Sequence, residues 1–222
     1  MNESTAVANA KTIVVGLSGA SGTIYGIRLI QYLLNLGWHV HLLISSSTWK
    51  VMAAEMSMPG VSPSTPMSEW LNVPQSVIEQ QISIYNIRDI AAPMASGTFR
   101  SHGMVVVPAS MKTVAAMAHG YTDNLLTRCA DCFMKERRRL VIVPREAPLS
   151  TIHLRNLLTL SECGAQILPA MPGFYHNPTS LDDLVDFMVM KILDSLDIDH
   201  SLTNLHWKGP KHLASEVNKA YE

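Results

Sequence analysis

The sequence predicts an α/β fold, a three-layer sandwich with a mainly parallel sheet and helices on both faces. Two observations predict it. Short apolar runs rich in β-branched residues recur along the chain, including TIVVGLS (12–18), GMVVVPAS (103–110) and LVIVPRE (140–146). They are apolar throughout, as strands covered on both faces are, rather than alternating. Stretches with helical spacing of apolar residues separate these runs, the order expected of βα units. No internal repeat or linker divides the 222 residues, and 47% of them are hydrophobic, enough for one sizeable core.

Taken in order, residues 1–10 are small and polar and are expected to be a disordered N-terminus. TIVVGLS forms the first strand. From Thr23 to Leu36, Ile24, Ile27, Leu29, Ile30, Leu33 and Leu34 gather on one helical face, and Gly37 stands where a helix C-terminus favours glycine. WHVHLLIS (38–45) is a second strand, followed from Ser46–Ser47 by a helix to about Met56. Between Met58 and Gln80 four prolines, at 59, 63, 66 and 74, predict an irregular excursion. QISIYN (81–86) alternates like an edge strand, and 89–103 reads as loop. A strand over 103–110 leads to a short helix from Met111 to about His119, then to a longer one opened by Asp123. After the strand LVIVPRE, Ser150 caps a helix ending at Gly164, and AQILPAM (165–171) is the last strand. Ser180-Leu-Asp-Asp183 resembles a capping box and opens LVDFMVMKILDSL. Residues 201–222 are expected to form a C-terminal arm on this subunit or a neighbour.

Composition excludes several functions. A net charge of −1 provides no general attraction for nucleic acid or an anionic membrane. Three cysteines, an odd number in a chain too long to need staples, favour a reducing, cytoplasmic setting. The first residues carry Glu3 and no basic start, unlike a signal peptide, and no apolar run approaches the roughly 18 residues of a membrane span. Charged residues make up only 16% of the chain, which points to surface buried against further copies of it.

The chemistry concentrates at strand ends. GLSGASG (16–22) lies where a first strand meets a helix, so its amides and the hydroxyls of Ser18, Ser21 and Thr23 could face an anion. Its spacing is G-x-x-G-x-x-G. That matches neither the dinucleotide fingerprint nor the Walker loop, and leaves a mononucleotide phosphate or a plain tight turn. The nucleophile elbow G-x-S-x-G is missed, because Ala20 stands at its last position. Three other strand ends are similarly polar: Ser45-Ser46-Ser47, Ser110-Met111-Lys112-Thr113 and Pro144-Arg145-Glu146. In an open parallel sheet ligands sit beyond the carboxyl ends of the strands, where all four lie.

The chain resembles the UbiX-like flavin prenyltransferases through GASG (19–22), LIS (43–45), ASG (95–97), LLTR and AD within 125–131, KERR (135–138), VPREAP (143–148), HL (153–154) and PGFYH (172–176). The resemblance spans about residues 11–200, taken as one FMN-binding domain. It implies a flavodoxin-like or Rossmann-like fold, bound FMN, and trimer-based homo-oligomers of up to a dodecamer with sites at subunit interfaces. The implied reaction joins a dimethylallyl group from dimethylallyl phosphate to reduced FMN at N5 and C6. The product would serve a UbiD-type aromatic acid decarboxylase, and no metal is required.

Carried onto this sequence, the resemblance assigns flavin binding to Gly19, Ala20, Ser21, Ser45, Ser96, Ser110, Met111, Lys112, Thr113, Arg128 and Arg145. Lys135, Arg145, Glu146, Tyr175 and Lys191 would surround the prenyl phosphate, and Ser21, Glu55 and Glu146 would relay protons. A family tryptophan ahead of APMASG (92–97) is Ile90 here, and an arginine of the last helix is Lys191, which keeps the charge without the bidentate fork.

Other features have plainer readings. Cys129-x-x-Cys132 lies mid-helix without a second pair and reads as packing, KERRR (135–139) as a solvated face, and His39 and His41 as structural. Glu55, without the resemblance, is an ordinary helix-end carboxylate. Alternative functions are a non-catalytic FMN-binding subunit of a decarboxylase complex, an FMN-dependent decarboxylase, or a hydrolase using Ser18 or Ser21. The early helix TIYGIRLI lacks the histidine base that a flavin-dependent cysteine decarboxylase would need.

Overall fold

A computed structural model describes residues 11–207 and Gly209. Six parallel strands form one sheet: β1 (Thr12–Leu17), β2 (His39–Ile44), β3 (Ile82–Tyr85), β4 (Met104–Ala109), β5 (Leu140–Pro144) and β6 (Gln166–Ile167). Their order is β3-β2-β1-β4-β5-β6. Of the two doubly wound arrangements this is the Rossmann order, and its topological switch point lies between β1 and β4.

Helices cover both faces. One core layer joins Leu17, Leu42 and Val107 to α1 (Thr23–Asn35) and α8 (Leu181–Leu196). The other joins Val14, Val106 and Ile142 to α5 (Met111–Ala118), α6 (Leu125–Lys135) and α7 (Thr151–Glu162). Alternate residues of each strand therefore serve opposite layers, which is why the strands read as apolar throughout.

The helix starts follow the sequence signals closely. Ser150 and Ser180 each cap a helix through a reciprocal capping box, with His153 and Asp183 as the N3 partners. Asn124 rather than Asp123 caps α6. Ser45 caps α2 (Ser46–Glu55), one residue earlier than expected.

Three expectations fail. The excursion between Met58 and Gln80 holds two short helices, α3 (Met67–Leu71) and α4 (Gln75–Gln81). Pro66 and Pro74 are their N-caps, so these prolines start helices rather than break them. The last strand keeps only Gln166–Ile167, although Leu168 and Ala170 still donate to Ile142 and Pro144 of β5. KERRR is not merely solvated: Arg138 donates to the carbonyls of Gly97 and Phe99, and Arg139 to that of Leu196.

Cys129 and Cys132 are buried, with burial pushing the Cys129 thiol pKa up. His39 bonds Ser83 at 2.9 Å and His41 bonds Tyr85 at 3.0 Å, both structural contacts across strands. Of the expected C-terminal arm, the described part packs on its own subunit. A 3-10 turn (Leu202–Leu205) follows α8, and Trp207 lies edge-on to Tyr175. The N-terminal ten residues and most of the arm lie outside the described residues. No described helix is long and apolar enough to cross a membrane.

Candidate functional site

The switch point opens a crevice beyond the carboxyl ends of the central strands. A cleft of about 210 Å³ there is lined by Ser45, Ser46 and Ser47 at the start of α2, by Ser110, Lys112 and Thr113 at the start of α5, and by Arg88 and Asp123. Two helix N-termini therefore face the same space. Ser110 accepts from the Thr113 amide, and the Thr48 amide donates to the Ser45 carbonyl. The first-turn amides of Ser46, Ser47, Met111 and Lys112 have no intrahelical partner and can point at an anion.

The hydroxyls at this rim are ordered. Thr48 donates to the Leu17 carbonyl at 2.9 Å, so Ser45, 3.0 Å away, donates to Thr48, and Ser47 to Ser45. Each hydroxyl has one proton, and the relay directs all three inward.

The glycine loop is used differently from the expected phosphate cradle. The carboxylate of Glu55, at the end of α2, accepts from the amides of Gly22 (2.8 Å) and Thr23 (2.9 Å) and from the Thr23 hydroxyl (2.7 Å). The positive end of α1 is thus filled by the protein's own anion. Partial burial pushes the Glu55 pKa up, but the hydrogen bonds from Ser21, Thr23 and Gly22 outweigh it and hold the carboxyl below its ordinary value.

Ser18, expected to offer a free hydroxyl, is fully buried. It donates to the Pro108 carbonyl at 3.0 Å and accepts from the Ser110 amide at 2.7 Å, stitching β1 to β4. The Ser18 and Thr23 hydroxyls are thus engaged within the protein, and the helix-start amides without intrahelical partners lie at the α2–α5 cleft. Gly19 remains essential to the rim for another reason: an added Cβ would lie 2.3 Å from Ser47 Oγ. Ala20 is buried beside it, and so is the side chain of Met111, the first residue of α5.

Arg145, at the end of β5, donates to the Ser21 carbonyl at 3.2 Å, joining the two loops that flank the crevice. Tyr25 lies within the electrostatic reach of both Arg145 and Glu55. Burial raises its pKa most, Arg145 opposes that, and Glu55 adds to it. Glu146 is exposed and accepts only from the Ala147 amide, at 3.1 Å, among the described residues.

The remaining assigned residues do not join this crevice within one subunit. Arg128, on α6, donates to the Ala95 carbonyl at 3.1 Å and to Asp131 at 2.8 Å. Ser96 hydrogen-bonds Thr98. Lys135 pairs with Glu136 at 2.6 Å against Gly97. These last two groups sit toward the opposite end of the sheet, since Arg139, four residues after Lys135, accepts from the amide of Met104 at the start of β4. With 11 residues in α6 and about 1.5 Å of rise per residue, Lys135 stands roughly 15 Å below the crevice rim. Tyr175 packs edge-on to Phe187 of α8, and Lys191 lies one turn further along, exposed. No hydrogen bond or ion pair joins either to Arg145 or Glu146 among the described residues.

Sequence reasoning did not single out Tyr25, near Arg145 and Glu55, or Arg88, in the lining of the cleft. Tyr25 sits inside an otherwise apolar helical pattern, and Arg88 follows an edge strand where a surface residue is the default. The position of Arg88 after β3, at the sheet's carboxyl edge, was the available signal.

A Rossmann-order sheet with a phosphate-suited cleft at its switch point defines a nucleotide-binding α/β protein. The chain belongs to the flavoprotein family, whose model, described as Flavoprotein, matches residues 1–193. It is 47% identical over 192 residues to a flavin prenyltransferase UbiX of Alkalihalophilus pseudofirmus, covering 86% of this chain and 94% of that one. Among solved structures it is similar to AnUbiX (PadA1) in complex with FMN and dimethylallyl pyrophosphate, with a TM-score of 0.78 and 38% identity over 91% of this chain and all of that one. It is also similar to a dodecameric FMN-dependent UbiX-like decarboxylase from Escherichia coli O157:H7, with a TM-score of 0.75 and 38% identity over 90% of this chain and all of that one.

Proposed function

We infer that the chain is a flavin prenyltransferase that binds FMN and transfers a dimethylallyl group from dimethylallyl phosphate to it. The observation that carries this reading is the α2–α5 cleft, with two helix N-termini, a lysine and an arginine around a phosphate-sized space, in a chain nearly half identical to a flavin prenyltransferase. When bound and reduced, FMN supplies the nucleophilic N5 and C6 positions that accept the dimethylallyl group.

The chain's residues divide the work. Ser46, Ser47, Met111 and Lys112 offer amides to the flavin phosphate, which the dipoles of α2 and α5 favour. Glu55, held at the glycine loop by the Gly22 and Thr23 amides, would relay protons with the neighbouring Ser21 hydroxyl. Arg145 fixes the Ser21 loop from the other side of the crevice. The prenyl phosphate gains charge as its C–O bond breaks, and Arg145, Lys135, Lys191 and Tyr175 are the donors suited to hold it. Glu146, exposed after β5, would take a proton from the reacting ring.

Lys135 stands far from Glu146 in one subunit, so the complete site requires a second copy whose α6 flank meets the crevice. Homo-oligomers built on a trimer, as large as a dodecamer, would supply that arrangement. Bare apolar side chains on α7, Ile152 and Leu158 among them, fit burial between copies. The modified flavin would pass to a UbiD-type aromatic acid decarboxylase in the cytoplasm, the compartment that free cysteines favour.

Anaerobic incubation with reduced FMN and dimethylallyl phosphate, followed by mass spectrometry of the extracted flavin, tests this reading. A flavin heavier by one isoprenyl unit is expected. Tightly bound but unmodified FMN would leave a flavin-binding subunit instead.

A further inference from the structure

We propose that Arg88 is a phosphate-binding residue that makes the crevice select FMN over unphosphorylated riboflavin. This rests on the flavin-binding reading above and adds a residue that neither the sequence motifs nor the family resemblance assigned.

Arg88 lines the same cleft as Ser45, Ser110 and Lys112, just beyond the carboxyl end of β3. Its backbone is held there, with the amide donating to the Asn86 side chain at 3.0 Å. The carbonyl of the preceding residue, Ile87, accepts from the Leu125 amide at 2.8 Å. Its guanidinium makes no hydrogen bond or ion pair among the described residues. Arg128, Arg138 and Arg139, by contrast, all have partners.

Asp123 is the carboxylate nearest at hand in the cleft, and it is engaged by the Asn124 side chain at 2.7 Å. A cation anchored through its backbone, unpaired, and facing four unpartnered amides is arranged for a dianion. A terminal phosphomonoester carries close to two charges at neutral pH and three acceptor oxygens, which suit a guanidinium fork. Lys112, across the cleft, adds a point charge without that fork. Riboflavin, ending in a hydroxyl, would use none of this.

Binding of FMN, riboflavin and inorganic phosphate to the full chain, followed by flavin fluorescence quenching, tests the proposal. Arg88→Gln is expected to weaken FMN about tenfold, the size of one charge-assisted hydrogen bond on an open rim, and to leave riboflavin unchanged. Arg88→Lys should recover part of the loss. Inorganic phosphate should compete with FMN for the unmodified chain, and its own affinity should fall in the Arg88→Gln variant. Because Arg88 is exposed and unpaired, folding is not at stake. Unchanged FMN affinity in Arg88→Gln, or equal losses for FMN and riboflavin, overturns the proposal. Should the unmodified chain bind both flavins equally, the phosphate cleft itself is wrong. Should it bind neither, the flavin-binding reading fails first.

Discussion

Gly26→Ala is expected to destabilise the protein by about 2 kcal/mol, although alanine is the better helix former. In the middle of α1, an added Cβ at Gly26 would lie 2.6 Å from the Val107 carbonyl of β4, with Leu17 at 3.3 Å behind it. Helix propensity favours alanine by about 1 kcal/mol. Overpacking against backbone that cannot rotate away costs about 1–3 kcal/mol or more, so the clash decides the sign. α1 must lift from the sheet at the height of the crevice, which moves the Gly22–Thr23 amides off Glu55. A lower urea midpoint with an unchanged slope, together with weakened FMN binding, is the expected pair of results.

Glu55→Gln is expected to lower prenylation about a hundredfold, while costing about 1–2 kcal/mol of stability, the range of a lost helix cap. The amide keeps the shape of the side chain but sets an NH₂ group against the donors of Gly22 and Thr23. The pH dependence separates cap from bystander. Because the folded pKa of Glu55 lies below its ordinary value, its stabilisation is present above the unfolded pKa near 4.5 and is lost as pH falls through the lower folded value. Glu55→Gln should lack that acid-side loss. If instead stability falls as steeply with acid in the variant as in the unmodified chain, Glu55 is not the cap.

The strands, their burial on both faces and the main helices were legible because periodicity and capping residues report local physics that tertiary packing did not override here. The prolines of 58–80 misled because proline serves equally at a helix start and in a loop, and only packing, such as that of Trp70 and Leu71 into the core, decides between them. The anion-binding character of the first loop was legible, but its occupant was not. Glu55 is more than thirty residues away from Gly22, and only the packing of α2 against α1 brings its carboxylate to the α1 N-terminus. Ser18 misled for the same reason, since its partners Pro108 and Ser110 come from β4 and the loop beyond it. Sequence also brings Lys135 and Glu146 within eleven positions of each other while the fold places them at opposite ends of β5.

That separation makes the central claim testable by mixing. Lys135→Ala and Glu146→Gln chains, each expected to be nearly inactive alone, are dissociated, combined in equal amounts and reassembled, and the prenylated flavin is counted. If each site takes its α6 flank from one copy and its crevice from the next, about a quarter of the sites regain both residues, and activity returns to about that fraction of the unmodified protein. Activity no higher than that of the two variants measured separately would contradict a site shared between subunits.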